Sequence, residues 1–181
     1  MNIAKKILAP IPVIALTIAS VITAAAQSDL PKSEPKSYQI HNKKFGDLLR
    51  PRDASKRDGA HIVLYPEQPW KCLTWKLTPS GTAGYTLENH FTSKTLAPGE
   101  EELAGGKAVV QVPFVGDDAQ RPLWQFKQLP DGLYQIVDAR SGQALTAVSA
   151  EGGDVRVIIA PWKDRDEQKW NIVNAPDNLT M

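Results

Sequence analysis

The stretch Tyr134 to Val173, YQIVDARSGQALTAVSAEGGDVRVIIAPWKDRDEQKWNIV, decides the fold, because the chain contains its pattern three times. It opens with the alternating run Tyr134-Gln135-Ile136-Val137, a half-buried strand by its period of two. A Ser141-Gly142 turn follows, then Ala144-Leu145-Thr146, the Gly152-Gly153 pair, the apolar run Val155 to Ala160, and a close on Gln168-Lys169-Trp170. The same landmarks recur upstream as Tyr85-Thr86-Leu87, Leu96, Gly105-Gly106, Ala108-Val109-Val110 and Leu123-Trp124-Gln125-Phe126. A third set is Tyr38-Gln39-Ile40, Leu49, Asp58-Gly59, Ile62-Val63-Leu64 and Leu73-Thr74-Trp75. The glycine landmarks keep a spacing of 47 residues.

Each copy amounts to about four short strands, too few to bury an apolar face alone, so the copies must share a core. Turn signals every ten residues or so predict an all-β barrel or sandwich. Three units closed around one axis leave few free sheet edges. The repeats run 38–77, 85–129 and 134–173 within a domain at 38–175, with a short tail at 176–181.

Outside the repeats, Lys5 and Lys6 precede an uncharged, mostly apolar run from Ile7 to Ala26 that ends in three alanines. That pattern predicts a signal peptide over 1–26, cleaved on export to the periplasm or the exterior. Residues 27–37, polar and with two prolines, are expected to form a flexible lead-in. The whole chain carries 21 basic and 20 acidic residues; without Lys5 and Lys6 the balance is 19 to 20, a net −1. Bulk charge therefore attracts neither nucleic acid nor an anionic membrane. The length suits one domain, expected to be monomeric.

Enzyme chemistry finds little support. Cys72 is the lone cysteine, set in a strand beside Trp75, where a buried apolar role fits best. His41, His61 and His90 stand at no metal-ligand spacing, and their turn and strand settings suggest no nucleophile–base pair. Neither a metal nor a cofactor is implied. The acidic runs Glu100-Glu101-Glu102 and Asp117-Asp118 are expected in solvated loops. The mixed-sign run Asp164-Arg165-Asp166-Glu167 could line a shallow pocket or form another such loop. Asn178-Leu179-Thr180 fits a glycosylation acceptor in a eukaryotic secretory pathway.

A strand opening Tyr-x-Ile, a Ser-Gly-x-x-Leu turn, a glycine-led apolar strand and a closing Gln-x-Trp resemble the ricin B-chain-type β-trefoil, a lectin module, across Tyr38 to Val173. The resemblance implies an all-β β-trefoil with pseudo-threefold symmetry and a non-catalytic, carbohydrate-binding role with a glycan or polysaccharide as partner. Sugar-binding trefoils of this kind hold galactose with an Asp after the turn's Leu, an aromatic against the sugar ring, and Gln-x-Trp and Asn-Gln-x-Trp elements. Here the Asp positions read Arg50, Ala97 and Thr146. Counted from the glycine pairs, the Gln-x-Trp positions read Val63-Leu64-Tyr65, Val110-Gln111-Val112 and Val157-Ile158-Ile159. The Asn-Gln positions read Cys72-Leu73, Arg121-Pro122 and Glu167-Gln168. The galactose sites are thus expected to be degenerate, with free galactose bound weakly or not at all. Any sugar affinity is expected in the first repeat, through Tyr65 and the nearby Trp70, or in the third, through Gln168, Trp162 and Asp164. Trp75, Trp124 and Trp170 are expected as core; Trp70 and Trp162, in proline-flanked loops, either stack on a ligand or pack over the barrel mouth. A protein-binding trefoil, such as a protease inhibitor or an adhesion module, is the alternative.

Overall fold

A computed structural model describes residues 30–114 and 121–181. The leader expected over residues 1–26 and the Asp117-Asp118 pair lie outside the described residues. Among those described, twelve strands form four per repeat. The first repeat supplies β1 (Lys36–Asn42), β2 (Leu48–Pro51), β3 (Ile62–Tyr65) and β4 (Thr74–Pro79). The second supplies β5 (Tyr85–Asn89), β6 (Lys94–Leu103), β7 (Gly106–Pro113) and β8 (Trp124–Gln128). The third supplies β9 (Tyr134–Asp138), β10 (Ala144–Ser149), β11 (Val155–Ala160) and β12 (Lys169–Asn174).

The outer strands of each repeat close a barrel. β1 pairs with β4, β4 with β5, β5 with β8, β8 with β9, β9 with β12, and β12 returns to β1, every step antiparallel. The inner strands form three hairpins, β2–β3, β6–β7 and β10–β11, joined to one another at Arg156↔Val63, Ile158↔Ala108 and His61↔Val110. A closed six-stranded barrel capped by three hairpins is a β-trefoil. Closure leaves every barrel strand paired on both sides, which answers the edge problem that each repeat would face alone.

The landmarks that repeat in sequence repeat in space because each fills the same role. Trp75, Trp124 and Trp170 are fully buried, and their indole N–H groups donate to the carbonyls of Leu49 (2.9 Å), Leu96 (3.2 Å) and Leu145 (3.0 Å). Each Trp pairs across the barrel with the polar residue that ends the first strand of a repeat: Asn89, Asp138 and Asn42. Asn42 Nδ2 donates to the Glu167 carbonyl and Asn89 Nδ2 to the Cys72 carbonyl, both at 2.9 Å, so the side-chain amides tie successive repeats together. Gly106 is fixed by crowding: a Cβ there would lie 2.1 Å from the Ile159 carbonyl oxygen, where β7 runs against β11.

Three local expectations are corrected. Residues 27–37 were expected to be a flexible lead-in, but Leu30 is buried in the core and Lys36 and Ser37 already pair with Leu77 and Lys76. An isolated leucine suffices to dock a polar segment when the barrel offers an apolar edge. The acidic run 100–102 is the end of β6 and not a loop, and Glu101 joins the hairpins by pairing with His61 (2.7 Å) and Arg156 (3.1 Å). The third register also differs. Leu49 faces Leu64 and Leu96 faces Gln111, fifteen positions on, whereas Leu145 faces Ile159, fourteen positions on. The third Gln-x-Trp position is therefore Ile158-Ile159-Ala160, one residue later than the glycine spacing implies, because the glycine pair there lies two residues nearer to Leu145 while the hairpin is only one residue shorter.

Candidate functional site

In the first repeat the place where sugar-binding trefoils keep their ligand is filled by the protein itself. Arg50, at the position of the family's Asp, is 8% exposed, with its guanidinium carbon 3.6 Å above the centre of the Tyr65 ring. Tyr65 in turn stacks on Trp70 at 5.7 Å between centroids, and both pack with Ala54 and Phe91 against buried Leu48, Cys72 and Leu73. The C-terminal tail pins this loop: the Lys71 N–H donates to the Thr180 carbonyl (3.0 Å) and the Thr180 N–H to that of Pro69 (2.7 Å). Of the two roles open to Trp70, stacking on a ligand or packing against the protein, the structure shows packing: Tyr65 and Trp70 are half-buried partners of one another and line none of the four main clefts among the described residues. A cation over an aromatic face is itself a favourable contact, so the arginine that replaces the Asp also seals the site.

The third repeat keeps a concavity. A cleft of about 320 Å³ opens between β10 (Thr146 to Ser149), the end of β11 (Ile158, Ala160) and the loop from Pro161 to Gln168. Its far walls come from other repeats: Lys44 and Phe45 from the β1–β2 turn, Ala104 and Gly105 from the tip of β6–β7. Gln168 forms its floor. This side chain is 3% exposed; its Nε2 donates to Thr146 Oγ1 (3.1 Å) and the Pro161 carbonyl (2.9 Å), and its Oε1 accepts from the Lys163 N–H (2.7 Å). Gln168 thus shapes the cleft and holds the loop, with no donor left for a ligand. Thr146, at the family's Asp position, commits its own hydrogen to the Ala144 carbonyl at 2.9 Å. It offers no charged acceptor for a pair of sugar hydroxyls.

The remaining two expected ligand residues lie beside the cleft and not on its wall. Trp162 is half-buried and Asp164 exposed, and neither lines the cavity. Asp164 sits in the left-handed region (φ 54°) and its carboxylate meets Lys169 Nζ at 2.9 Å. The residues that do line the cleft include three cations, Lys44, Lys163 and Arg165, against one carboxylate, Glu167. Lys44 Nζ donates to Glu167 Oε1 at 2.7 Å, and this hydrogen bond holds the Glu167 carboxyl below its ordinary value. From sequence, Lys44, Phe45, Ala104 and Gly105 carry no hint of the site, since they sit in unremarkable turns and meet it only through the trefoil's closure.

Among the described residues the histidines and the cysteine are not brought together. The histidines meet the Gly46 carbonyl (His41), Glu101 (His61) and Ser37 (His90), not Cys72. Cys72 is 1% exposed, and burial raises its thiol above the ordinary value despite the opposing guanidinium of Arg50. Among the described residues no group of three or more His, Cys, Asp or Glu side chains is placed to hold a metal ion.

Residues 118–181, which span the third repeat, match the family model described as Ricin-type beta-trefoil lectin domain-like. The likeness is to ricin-type lectins. Among solved structures, the designed threefold-symmetric protein ThreeFoil is 27% identical, with 76% of this chain and 98% of that one covered at a TM-score of 0.67. A Macrolepiota procera ricin B-like lectin, solved with lactose, is 16% identical over 81% of this chain and 99% of its own, at a TM-score of 0.64. An exo-beta-1,3-galactanase from Clostridium thermocellum shares the fold at 22% identity and a TM-score of 0.64, but the match covers 77% of this chain and only 30% of that enzyme. No curated protein sequence matches the chain. The ricin-type likeness at the third repeat thus coincides with a repeat that retains an open cleft.

Proposed function

We propose that this chain is an exported, non-catalytic glycan-binding β-trefoil whose working site is the third-repeat cleft, with the galactose-type sites of its other repeats degenerate. The observation that carries the reading is the asymmetry between repeats. Equivalent ground is filled by Arg50, Tyr65 and Trp70 in the first repeat and lies open beside Thr146 and Gln168 in the third. A cleft of this size, part apolar through Phe45 and Ile158 and part polar through Thr146 and Ser149, suits one or two sugar residues. Trp162 and Asp164, at the edge of the loop, are within the reach of a longer glycan rather than of a monosaccharide.

The test is a broad glycan array followed by titration calorimetry of the best ligand. Ser149→Trp, at an exposed cleft position, should abolish binding by filling the site without touching the core, whereas Tyr65→Ala and Trp70→Ala should leave affinity unchanged. Absence of any glycan ligand, or full binding by the Ser149→Trp variant, would refute the proposal. Export is tested separately by the intact mass of the mature protein, expected to begin at Gln27; retention of residues 1–26 in a membrane fraction would overturn it.

A further inference from the structure

We infer that the third-repeat cleft selects an anionic saccharide, one bearing a carboxylate or a sulfate ester, an inference that rests on the glycan-binding reading. In sequence the loop Lys163-Asp164-Arg165-Asp166-Glu167 is net acidic, with two cations against three carboxylates. The fold sorts those charges. Asp164 pairs with Lys169 (2.9 Å), Asp166 with Lys43 (3.1 Å) and Glu167 with Lys44 (2.7 Å), so each acid of the loop is neutralised by a lysine from β12 or the β1–β2 turn. Lys163 and Arg165 remain without an ion pair of their own among the described residues, and both line the cleft. The three neutralising lysines come from two different parts of the chain, and only Lys44 of them reaches the cleft wall.

What the cleft lost and what it kept point the same way. The carboxylate that would bind neutral vicinal hydroxyls is replaced by Thr146, whose hydrogen is already committed. A neutral sugar finds no charged acceptor beyond Glu167, which Lys44 already occupies. An anionic group finds Lys163, a compact point charge, and Arg165, whose planar fork pairs with carboxylate or sulfate oxygens two at a time. Ser149 and the apolar wall at Phe45 and Ile158 remain for the ring that carries the anion.

Matched pairs of saccharides decide the matter by calorimetry on the full chain at low salt: 6′-sialyllactose against lactose, and 6-sulfogalactose against galactose. The anionic member of at least one pair should bind roughly tenfold more tightly, and which pair responds tells carboxylate from sulfate. Both cations are exposed, so each is worth roughly threefold, about tenfold together, and the advantage should shrink as salt is raised. Lys163→Gln with Arg165→Gln should erase the preference, while Lys127→Gln, an exposed charge on β8 outside the cleft, should leave it intact. Equal binding of neutral and anionic members would overturn the inference while leaving the glycan-binding reading in place. Failure of every saccharide, on these pairs and on the array, would remove both. A preference that survives the double substitution would place the anion elsewhere on the molecule and also overturn the inference.

Discussion

Replacing each of the three core tryptophans by phenylalanine should destabilise the protein to a similar degree, and the structure allows the size to be worked out. Trp75, Trp124 and Trp170 are each fully buried, and each donates its indole N–H to the backbone carbonyl of a hairpin leucine. Truncation to Ala would remove a whole indole from a packed interior, at roughly 3–5 kcal/mol, and would also orphan the leucine carbonyl. A single domain is stable by only about 5–15 kcal/mol, so an Ala variant risks leaving nothing folded to measure. Trp→Phe keeps most of the ring packing and deletes the donor; its cost is dominated by the unpaired buried carbonyl, about 1–3 kcal/mol, plus a small void. Urea unfolding followed by far-UV circular dichroism reads this as a drop in midpoint at constant slope, roughly 1 M for a 2 kcal/mol loss in a domain of this size. The three variants should agree to within about 1 kcal/mol if the repeats share one core, because distant equivalent sites are perturbed by equivalent amounts. A single variant with a wild-type midpoint, beside two that fall, would show that its repeat stands apart from the barrel.

Gln168→Ala should cost roughly 1–3 kcal/mol, since it strands the Lys163 N–H and the Pro161 carbonyl, and hydrogen exchange at the Lys163 amide should quicken more than at core amides such as Leu145. Cys72 should resist a thiol reagent in the native protein and react at once in denaturant, because burial disfavours the thiolate; rapid native labelling would contradict its place beside Leu48 and Leu73. Acid should weaken the fold through two groups whose folded values lie below their ordinary ones. Glu167 is held down by its Lys44 hydrogen bond, and His90 is held down by burial and then by the Lys76 charge. For both, the stabilisation is present above the unfolded value and is lost as pH falls through the folded one. His90→Gln should therefore flatten the stability profile just below pH ~6.5 and Glu167→Gln below pH ~4.5. Unchanged profiles in both variants would mean that neither group is linked to folding.

The barrel was legible in the sequence because its demands are periodic. A shared core needs a Trp beneath each hairpin and an apolar strand beside it, and these positions recur whatever the loops do; the ordered series Tyr38, Tyr85, Tyr134 and Trp75, Trp124, Trp170 is the trace of that geometry. Landmarks outside the core misled by one residue. The glycine pairs keep a constant interval, but the third lies two residues nearer to its hairpin leucine while that hairpin is only one residue shorter, which puts Ile158-Ile159-Ala160 in the place assigned to Val157-Ile158-Ile159.

The candidate site was legible only in part, and the reason is physical. Its repeat-three floor, Thr146 and Gln168, follows from the family pattern. Its walls are drawn from the β1–β2 turn (Lys44, Phe45) and the β6–β7 tip (Ala104, Gly105), segments far apart in the chain that meet the third repeat only when the barrel closes. The same closure decides the sign of the cleft. Read along the chain, Lys163 to Glu167 is a run of alternating sign, with Asp164 one of three acids beside the expected third-repeat site. Folded, Lys43, Lys44 and Lys169 reach that run from elsewhere and take up its acids, and the left-handed turn at Asp164 carries that carboxylate to Lys169. What faces the cavity is the remainder of that neutralisation, Lys163 and Arg165, beside the Lys44–Glu167 pair. Charge at a binding site is therefore a property of which partners the topology delivers, and a run of alternating sign that is net acidic in sequence can present a net positive wall.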